Sequence, residues 1–306
     1  MLDSFAYGRS FFMRVYIDGS AGTTGLALEG RLLGLDYVEL IKPDGSLRKD
    51  VETRKKYLNE ADIVFLCLPD DAAKEAVSFV ENENTVVIDA STAHRTAQGW
   101  AYGFPELSLE HHNAVKKSNR IAIPGCHASG FAAIVYPAVA GGFIKKDETV
   151  YCCSLTGYSG GGKTMIAEYE LDGAKNSAAK LYSLGLKHKH LPEMKHVCGL
   201  ENFPVFVPTL INSHSGMIVS VPFGNFPAIK IHEYYSNYYK DSPTVSIMPF
   251  NEAAELELEG MNGKDGMEIY VCGNENQTML AARFDNLGKG SSGAAVQCMK
   301  VRMGYE

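Results

Sequence analysis

The sequence predicts an α/β protein in which a doubly wound parallel sheet is joined to an α+β domain with a mostly antiparallel sheet. Three observations predict this fold class. Short apolar runs alternate with helical segments through residues 13–125, and a glycine-rich turn directly follows the first run. Beyond a helix expected at 127–140, strand-like runs dominate. Alternating strands and helices favour parallel pairing with right-handed crossovers, whereas successive strands favour antiparallel pairing.

The first half of the chain contains five expected strands, at 13–18, 37–41, 61–69, 85–92 and 120–125. The third of them, "ADIVFLCLP", is apolar throughout, which is typical of a strand that is covered on both faces. Helices are expected between the first four strands. The charged helix over 46–60 is expected to begin with Ser46 as its cap.

The second half contains six strand-like runs, at 148–160, 205–210, 216–223, 244–250, 267–273 and 277–285. One helix, over 226–240, is expected among them. The last segment, 286–304, begins with glycines and becomes helical, and we expect it to return to the first domain. This composition of strands with few helices indicates the α+β domain.

The composition excludes several function classes. The chain has 306 residues, is 45% hydrophobic and carries a formal charge of −7. A non-specific nucleic-acid binder needs a basic surface, so no nucleic-acid partner is expected. No segment approaches the roughly 18–20 apolar residues that span a bilayer, so no membrane partner is expected either.

The cysteines and the N-terminal residues indicate the cellular compartment of the protein. Seven cysteines are scattered along the chain without a CxxC pair, which favours free thiols in a reducing compartment and hence the cytoplasm. Residues 1–12 lack the apolar core of a signal peptide. We expect them to be a leader, or to precede the true start at Met13, with an organellar transit peptide as the alternative.

A glycine-rich stretch, "GSAGTTG", lies between the first strand and the first helix. It places Gly19, Gly22 and Gly25 at a GxxGxxG spacing. Glycines there let backbone N–H groups approach a pyrophosphate, and the helix N-terminus supplies partial positive charge. The stretch therefore favours a dinucleotide site, and the alternative is a tight turn with no ligand.

The sequence also bears on which dinucleotide binds. Asp44, about 20 residues beyond the glycine loop, is placed to hold a ribose hydroxyl of NAD. Lys42, Arg48 and Lys49 surround it, and cations favour a 2′-phosphate. We expect NADP, although a solvated charged loop explains each of these residues singly.

Cys126 stands where a strand ends and a helix begins, in "IPGCHASG". A thiol at a helix N-terminus is close to the helix dipole and to unpaired N–H groups, which lower its pKa. The carboxyl edge of a parallel sheet is also where ligands bind. We therefore expect Cys126 to be a nucleophile, whereas Cys67 and Cys272 fit ordinary packing in strands.

The segment "LKHKHLPEMKH" supplies histidines for a general base. His188 and His190 precede Pro-Glu, so that one imidazole can act on the thiol while the other binds an anionic substrate. Two alternatives stay open. His188, His190, His196 and Cys198 could ligate a metal, although no zinc-like CxxC accompanies them, or the histidines could lie on a solvated loop.

Two further segments are candidates for binding. Arg95, in "DASTAHR", follows the fourth strand and could clamp a carboxylate or a phosphate, or could lie on the surface. The loop "GYSGGGK" contains Ser159 and Lys163 and could close over the nicotinamide or a phosphate. A flexible hairpin is the alternative for that loop.

As a set, the motifs resemble the N-acetyl-γ-glutamyl-phosphate reductase family of arginine biosynthesis. The pieces that carry the resemblance are "GSAGTTG", "CLPDDAA", "DASTAHR", "YGFPEL", "PGCHASG", "SGGGK", "HKHLPE" and "DNLGKGSSGAAVQ". The likeness covers nearly the whole chain from Met13 and is to the shorter of the two types in the family. The cysteine motif, HxHxPE and the terminal NLGKGxSGAA are specific only as a set.

The resemblance implies how the chain is divided. A Rossmann-type, NADP-binding domain would comprise residues 1–125 and 288–306, and a catalytic and oligomerisation domain would comprise residues 126–287. NADP contacts are expected from Gly19, Ser20, Gly22, Thr23, Thr24, Gly25, Ser159, Gly160, Gly161, Asn286 and Gly288. A homo-oligomer, either a dimer or a tetramer, is usual for this family.

The resemblance also implies catalytic roles. Cys126 matches the nucleophile that attacks a small acyl-phosphate substrate, and His190 matches the acid/base. Arg95 and His188 would assist substrate binding, and no metal is expected. The family often has Tyr after the cysteine, where this chain has His127, so whether His127 takes part in the site stays open.

Two other functions are kept as alternatives. One is an aspartate-semialdehyde dehydrogenase, or a relative that acts on another acyl phosphate. The other is a nucleotide-sensing protein that has kept the scaffold and lost the chemistry. Such a sensor is expected to lack the thiol or the base, and this sequence lacks neither.

Overall fold

The computed structural model describes residues 12–171, 178–250 and 254–305. The leader expected at residues 1–12 lies outside these ranges except for Phe12, which is exposed. None of the helices within the described ranges is long and apolar enough to cross a membrane.

Six strands form a parallel sheet: β1 (Met13–Asp18), β2 (Val38–Leu40), β3 (Ile63–Leu66), β4 (Val86–Asp89), β5 (Ala101–Tyr102) and β6 (Arg120–Ala122). Their order is β2-β1-β3-β4-β6-β5, and every neighbouring pair is parallel. β2 and β3 lie on opposite sides of β1. The carboxyl ends of β1 and β3 therefore form a topological switch point, where ligands of such sheets bind.

Five helices belong to this half: α1 (Thr23–Leu32), α2 (Val51–Glu60), α3 (Asp70–Ser78), α4 (Leu109–Lys117) and α5 (Cys126–Ala140). The expected start of α2 at Ser46 is wrong. Asp50 caps this helix instead, because its carboxylate accepts hydrogen bonds from the backbone N–H and the hydroxyl of Thr53, both at 2.8 Å. Such a cap stabilises a helix by about 1 kcal/mol.

Seven strands form the second sheet: β7 (Tyr151–Thr156), β8 (Lys180–Leu181), β9 (Val205–Leu210), β10 (Met217–Gly224), β11 (Val245–Ile247), β12 (Met267–Gly273) and β13 (Thr278–Phe284). Their order is β11-β12-β13-β10-β7-β9-β8. Four of the neighbouring pairs are antiparallel, and two, β7–β9 and β11–β12, are parallel. The predicted fold class is therefore confirmed.

Three helices accompany the second sheet: α6 (Gly162–Leu171), α7 (Leu191–Val197) and α8 (Ala228–Tyr238). Only α8 was expected. α6 follows directly on a glycine run, and α7 has seven residues, too few for a clear helical period. α7 forms because Pro192 lies in its first turn, where a missing N–H leaves no hydrogen bond unmade, and because Met194 is fully buried in the core.

Helix α5 links the two halves of the molecule, whereas the last helix returns to the first half. α5 is buried nearly all round and shares a core with the inner face of the second sheet. Gly130 permits this packing, since a Cβ at that position would lie 2.6 Å from a methyl of Val219. The last helix, α9 (Gly293–Met303), packs its Ala294 and Met299 into the core under β1 and α1 of the parallel sheet.

Candidate active site

The glycine loop occupies the carboxyl edge at the switch point. Gly19 has φ of +90°, and a Cβ there would collide with the carbonyl oxygen of Cys67 at the end of β3. A Cβ on Gly25 would lie 2.5 Å from the carbonyl oxygen of Gly19. Only glycine meets these requirements, so the loop curls tightly over the ends of β1 and β3.

The start of α1 is open for an anion. Gly22 caps the helix without a side-chain hydrogen bond, and no acidic residue stands in the first turn. Among the residues that the structure describes, none is a hydrogen-bond partner for the buried Oγ1 of Thr23. Beside it is a cleft of about 340 Å³, whose far wall is formed by Gly162 and Lys163. An orphaned hydroxyl, free N–H groups and a nearby ammonium fit a phosphate group.

A second cavity, of about 380 Å³, lies at the ends of β1 and β2. Lys42, Arg48 and Lys49 line it, whereas Asp44 is exposed and is not among the lining residues. Lys42 also pairs with Glu29, with 2.5 Å between Nζ and Oε1. The cationic lining fits a 2′-phosphate better than a 2′-hydroxyl.

Cys126 is the first residue of α5, and Gly125 is its cap. A Cβ on Gly125 would collide with Nε2 of His190 and would lie 2.5 Å from Nη1 of Arg95. A Cβ on Gly290 would lie 3.0 Å from the Cβ of Cys126. The structure therefore brings the predicted nucleophile, the predicted base and the predicted substrate-binding arginine together around one glycine.

The expected lowering of the Cys126 pKa is wrong in its direction. Protein atoms surround the thiol, although the residue keeps some contact with solvent, and this burial raises its pKa above the ordinary value of 9.0. The charge of Arg95 and the backbone N–H of His127 oppose that rise. Because desolvation outweighs both, the resting thiol is protonated and needs a base.

His190 is suited to accept that proton. Burial, followed by the charge of Arg95, holds its pKa well below 6.5, so the imidazole is neutral. Its buried Nδ1 has no hydrogen-bond partner within residues 12–171, 178–250 and 254–305, and its Nε2 approaches Gly125, the neighbour of Cys126. A neutral imidazole always has one unprotonated nitrogen, which makes it a base of the right kind in the right place.

His188 supports His190. Its Nδ1 accepts the backbone N–H of His190 at 3.2 Å, and the two rings lie 4.7 Å apart. Burial lowers the pKa of His188 to about 4, and the charges of Lys189 and Arg95 contribute. His188 is therefore a neutral hydrogen-bonding group.

The pocket contains a buried ion pair that the sequence analysis did not anticipate. Arg95 donates from Nη1 to Oε2 of Glu193 at 3.0 Å. The other carboxylate oxygen of Glu193 accepts the Tyr102 hydroxyl at 2.8 Å and the Gly125 N–H at 2.7 Å. Breaking such a buried pair costs about 3–5 kcal/mol. Glu193 thus fixes both the guanidinium and the turn before the nucleophile.

Arg95 keeps capacity for a ligand. Its Nε donates to the carbonyl of Ile123 at 2.9 Å, and its Nη2 donates to the carbonyl of Ala90 at 3.2 Å. Together with the bond to Glu193, three of its five N–H groups are used. As far as the described residues go, two N–H groups, one on each terminal nitrogen, therefore remain for an anion.

The second glycine loop meets the segment before α9. Asn286 donates to Oγ of Ser159 at 2.9 Å and accepts the N–H of Gly216 at 2.9 Å. A Cβ on Gly160 would lie 3.5 Å from Nδ2 of Asn286, and one on Gly288 would collide with the carbonyl oxygen of Lys264. The structure brings Ser159, Gly160 and Asn286 together, and close packing explains the glycine at 288.

The residues of the metal alternative do not form one cluster. His196 is exposed at the end of α7, whereas Cys198 is buried in the core. Across residues 12–171, 178–250 and 254–305, no group of three or more His, Cys, Asp or Glu is arranged to hold a metal ion.

Family models match both halves of the chain. Residues 34–115 match the model described as "Semialdehyde dehydrogenase, NAD binding domain", and residues 126–286 match "Semialdehyde dehydrogenase, dimerisation domain". The fold is shared with solved semialdehyde dehydrogenases. Aspartate semialdehyde dehydrogenase II from Vibrio cholerae, complexed with ASA, superposes with a TM-score of 0.71 at 17% identity, over 95% of this chain and 98% of that one. Fold and site thus define a semialdehyde dehydrogenase.

Curated relatives identify the family within this class of enzymes. The chain is 39% identical to N-acetyl-gamma-glutamyl-phosphate reductase 2 of Nostoc sp., over 95% of this chain and 97% of that protein. It is 41% identical to N-acetyl-gamma-glutamyl-phosphate reductase of Brucella ovis, over 95% of this chain and 99% of that protein. The chain belongs to the N-acetyl-γ-glutamyl-phosphate reductase family, and the resemblance read from its motifs is confirmed.

Proposed function

We propose that this chain reduces N-acetyl-L-glutamyl 5-phosphate to N-acetyl-L-glutamate 5-semialdehyde, with NADPH as the reductant and a thioester on Cys126 as the intermediate. The observation that carries the proposal is the meeting of Cys126, His190 and Arg95 around Gly125. This pocket lies at the same sheet edge as the phosphate-binding start of α1. The names of the relatives identify the substrate class.

Several residues suit NADPH. The orphaned Thr23 hydroxyl and the N–H groups at the start of α1 would hold its pyrophosphate. Lys42, Arg48 and Lys49 would hold its 2′-phosphate. One solved neighbour at TM-score 0.69, aspartate semialdehyde dehydrogenase from Candida albicans, was determined with NADP. NADPH supplies a hydride to the acyl carbon when it is bound.

The cationic lining can be tested by coenzyme preference. Replacing Arg48 and Lys49 together by Ala removes two cations and leaves the glycine loop intact. We expect the preference for NADP over NAD to fall about tenfold or more, since each charge-assisted hydrogen bond contributes about 1.5–3 kcal/mol. An unchanged NADP/NAD ratio of kcat/KM would contradict this assignment.

The first half-reaction begins at the thiol. His190 takes the proton of Cys126, and the thiolate attacks the acyl carbon of the substrate. Backbone N–H groups at the start of α5 stabilise the oxyanion that forms. The bond from carbon to the phosphate oxygen then breaks, phosphate leaves with the electron pair and takes a proton from water, and a thioester remains on Cys126.

In the second half-reaction the thioester is reduced. The His190 imidazolium donates its proton to the developing alkoxide as the hydride arrives, which gives a hemithioacetal. His190 takes this proton back when the carbon–sulfur bond breaks and the semialdehyde leaves. The proton finally returns from His190 to the Cys126 thiolate.

The substrate would be held by residues around the pocket. The two unused N–H groups of Arg95 suit a carboxylate or the phosphate of the substrate, because both accept paired hydrogen bonds. His188 is neutral and would add a further hydrogen bond. Glu193 balances the charge of Arg95, so binding the anion does not depend on an unpaired buried cation.

The experiment is the reverse reaction, followed as phosphate-dependent reduction of NADP. N-acetylglutamate semialdehyde should be used at least about 10²-fold better than aspartate semialdehyde, because a site with buried polar groups rejects a substrate that leaves them unpaired. Cys126→Ser should lose about 10⁴-fold or more of this turnover while it still binds NADPH. A preference for aspartate semialdehyde would instead support the alternative dehydrogenase.

We also propose that the chain forms a homo-oligomer through the outer face of the second sheet. Tyr151, Leu155, Leu181 and Met279 all lie on this face and are exposed. The family model over 126–286 describes a dimerisation domain. Leu155→Asp should convert a dimer or tetramer into a smaller species in light scattering, whereas Leu109→Asp, on the exposed side of α4, should not.

The free thiols suit the cytoplasm. All seven cysteines are unpaired, in agreement with a reducing compartment. We propose this location for the chain, and fractionation of cells that express it under its own promoter is the test.

A further inference from the structure

His127 directly follows the proposed nucleophile, and the structure shows how it is used. Its Nδ1 lies 2.8 Å from Oγ of Ser154, and its Nε2 lies 2.7 Å from the hydroxyl of Tyr182. His127 is 2% exposed and Ser154 is fully buried. Two polar side chains buried in an otherwise apolar layer are costly unless they are paired, and these two are paired with each other.

Tyr182 lies at the edge of the catalytic pocket. Its ring is 5.8 Å from that of His188, and the His127 ring lies 5.6 Å from that of His190. Burial raises the pKa of Tyr182, and the nearby Cys126 raises it further, so the phenol is protonated and lies within electrostatic reach of the thiol. The mechanism described above does not use this hydroxyl.

The chain around Tyr182 is held in place. The backbone N–H of Tyr182 donates to the carbonyl of Pro208 on β9 at 3.2 Å. Between Tyr182 and His188, Ser183 and Leu186 both adopt positive φ, at 55° and 52°. Residues other than glycine rarely adopt this backbone conformation, and such strain concentrates at functional sites. The turn between them brings the Tyr182 ring close to that of His188.

The proton positions follow from the partners. Burial lowers the pKa of His127 to about 3, so its ring is neutral and has a single N–H. Within the described residues, His127 is the only hydrogen-bond partner recorded for Oγ of Ser154. A buried hydroxyl that only accepted would leave its own O–H without a partner, which is costly. The Ser154 hydroxyl is therefore assigned as the donor to Nδ1, and the N–H on Nε2 is left to donate to the Tyr182 oxygen. Because the described part of the chain offers the Tyr182 hydroxyl no other partner, this arrangement leaves its O–H available to donate into the pocket.

We propose that the Tyr182 hydroxyl donates a hydrogen bond to the oxyanion formed when an acyl group is attached to Cys126, and that His127 and Ser154 hold it in that orientation. Tyr182 is then a catalytic residue, and His127 and Ser154 are positioning residues. The inference rests on the proposed function, because the oxyanion arises in that reaction. It also assigns a role to the histidine that stands where the family often has Tyr.

The test starts with Tyr182→Phe in the full chain. Loss of an oxyanion donor lowers kcat by about 10²-fold, whereas the KM for the semialdehyde and the Kd for NADPH should change less than about twofold. Tyr234→Phe is the matched control, since it removes one hydroxyl that donates to Pro137, on the C-terminal turn of α5. The control should keep full activity.

The positioning role of His127 is tested by replacing it. His127→Phe should lower kcat as much as Tyr182→Phe, and His127→Gln, which can still donate and accept, should recover most of the loss. The double variant Tyr182→Phe/His127→Phe should be no slower than Tyr182→Phe alone, because both changes remove the same hydrogen bond. Circular dichroism and the Kd for NADPH report whether each variant folds.

The outcomes separate the two proposals. An inactive wild-type chain overturns the proposed function, and this inference with it. An active wild type with a Tyr182→Phe variant within twofold of it overturns this inference alone. Losses that multiply in the double variant show that His127 supports the fold and does not position the Tyr182 hydroxyl, and they overturn the positioning role proposed for His127.

Discussion

The two sides of the active-site cleft are built by different means. On the cofactor side, glycines let backbone segments touch, as Gly19 does against the carbonyl of Cys67. On the catalytic side, buried side chains that carry opposite charges are packed together, as Arg95 and Glu193 are. A change on the first side should therefore act mainly on coenzyme binding, and a change on the second side mainly on turnover.

We expect the largest effect from a substitution at Gly125, on the catalytic side. Gly125→Ala introduces a methyl that collides with His190 and crowds Arg95, so the imidazole must move away from Cys126. A displacement of about 1 Å costs about 10²-fold in rate, and we expect kcat to fall by that factor while NADPH binding is retained. The control is Gly30→Ala on α1, where a Cβ meets nothing within 4 Å. Equal activity of Gly125→Ala and the control would contradict the described pocket.

Gly19→Ala tests the other side of the cleft. The positive φ and the Cys67 carbonyl leave no room for the methyl, so the loop must move from the start of α1. Strain of about 1–3 kcal/mol in the binding loop corresponds to a roughly 10- to 10²-fold weaker Kd for NADPH. The alkylation rate of Cys126 should stay within twofold of wild type. A variant with normal NADPH affinity but slower alkylation of Cys126 would contradict the assignment of this loop to the cofactor side.

The smallest expected effect concerns the charge of the resting thiol. Because burial raises the pKa of Cys126 above its usual range, the thiolate fraction increases with pH and does not level off below about pH 9. Peptide-resolved mass spectrometry after iodoacetamide treatment should show alkylation that keeps rising from pH 7 to 9. A plateau near neutral pH would show that the thiolate already exists in the free enzyme.

The cofactor side could be predicted from the sequence because the residues that form it are close together along the chain. A strand, three spaced glycines and a helix follow one another within residues 13–32, and the position of Cys126 between β6 and α5 is equally local. The partners of Glu193 are different. Its hydrogen bond to Tyr102 spans 91 residues, and Tyr102 lies on a two-residue strand with no period to detect.

The pKa of Cys126 shows a second limit of prediction from a sequence. The helix dipole at Cys126 follows from local pattern, so its pKa-lowering effect was anticipated. Desolvation depends on which distant segments pack around Cys126, among them the segment at Gly290, which lies against the Cβ of Cys126. That contribution is larger here, and it reversed the expected shift. The Pro-Glu after HxH was the one available signal for Glu193.

The central claim is that an acyl group is carried by the sulfur of Cys126. The most direct measurement is to mix the protein with N-acetylglutamyl 5-phosphate without NADPH, quench in acid and locate the acyl adduct by peptide mass spectrometry. We predict the adduct on the Cys126 peptide, loss of that adduct on addition of NADPH, and none on the exposed Cys153. An adduct on another cysteine, or turnover in a chain whose Cys126 never becomes acylated, would contradict the account.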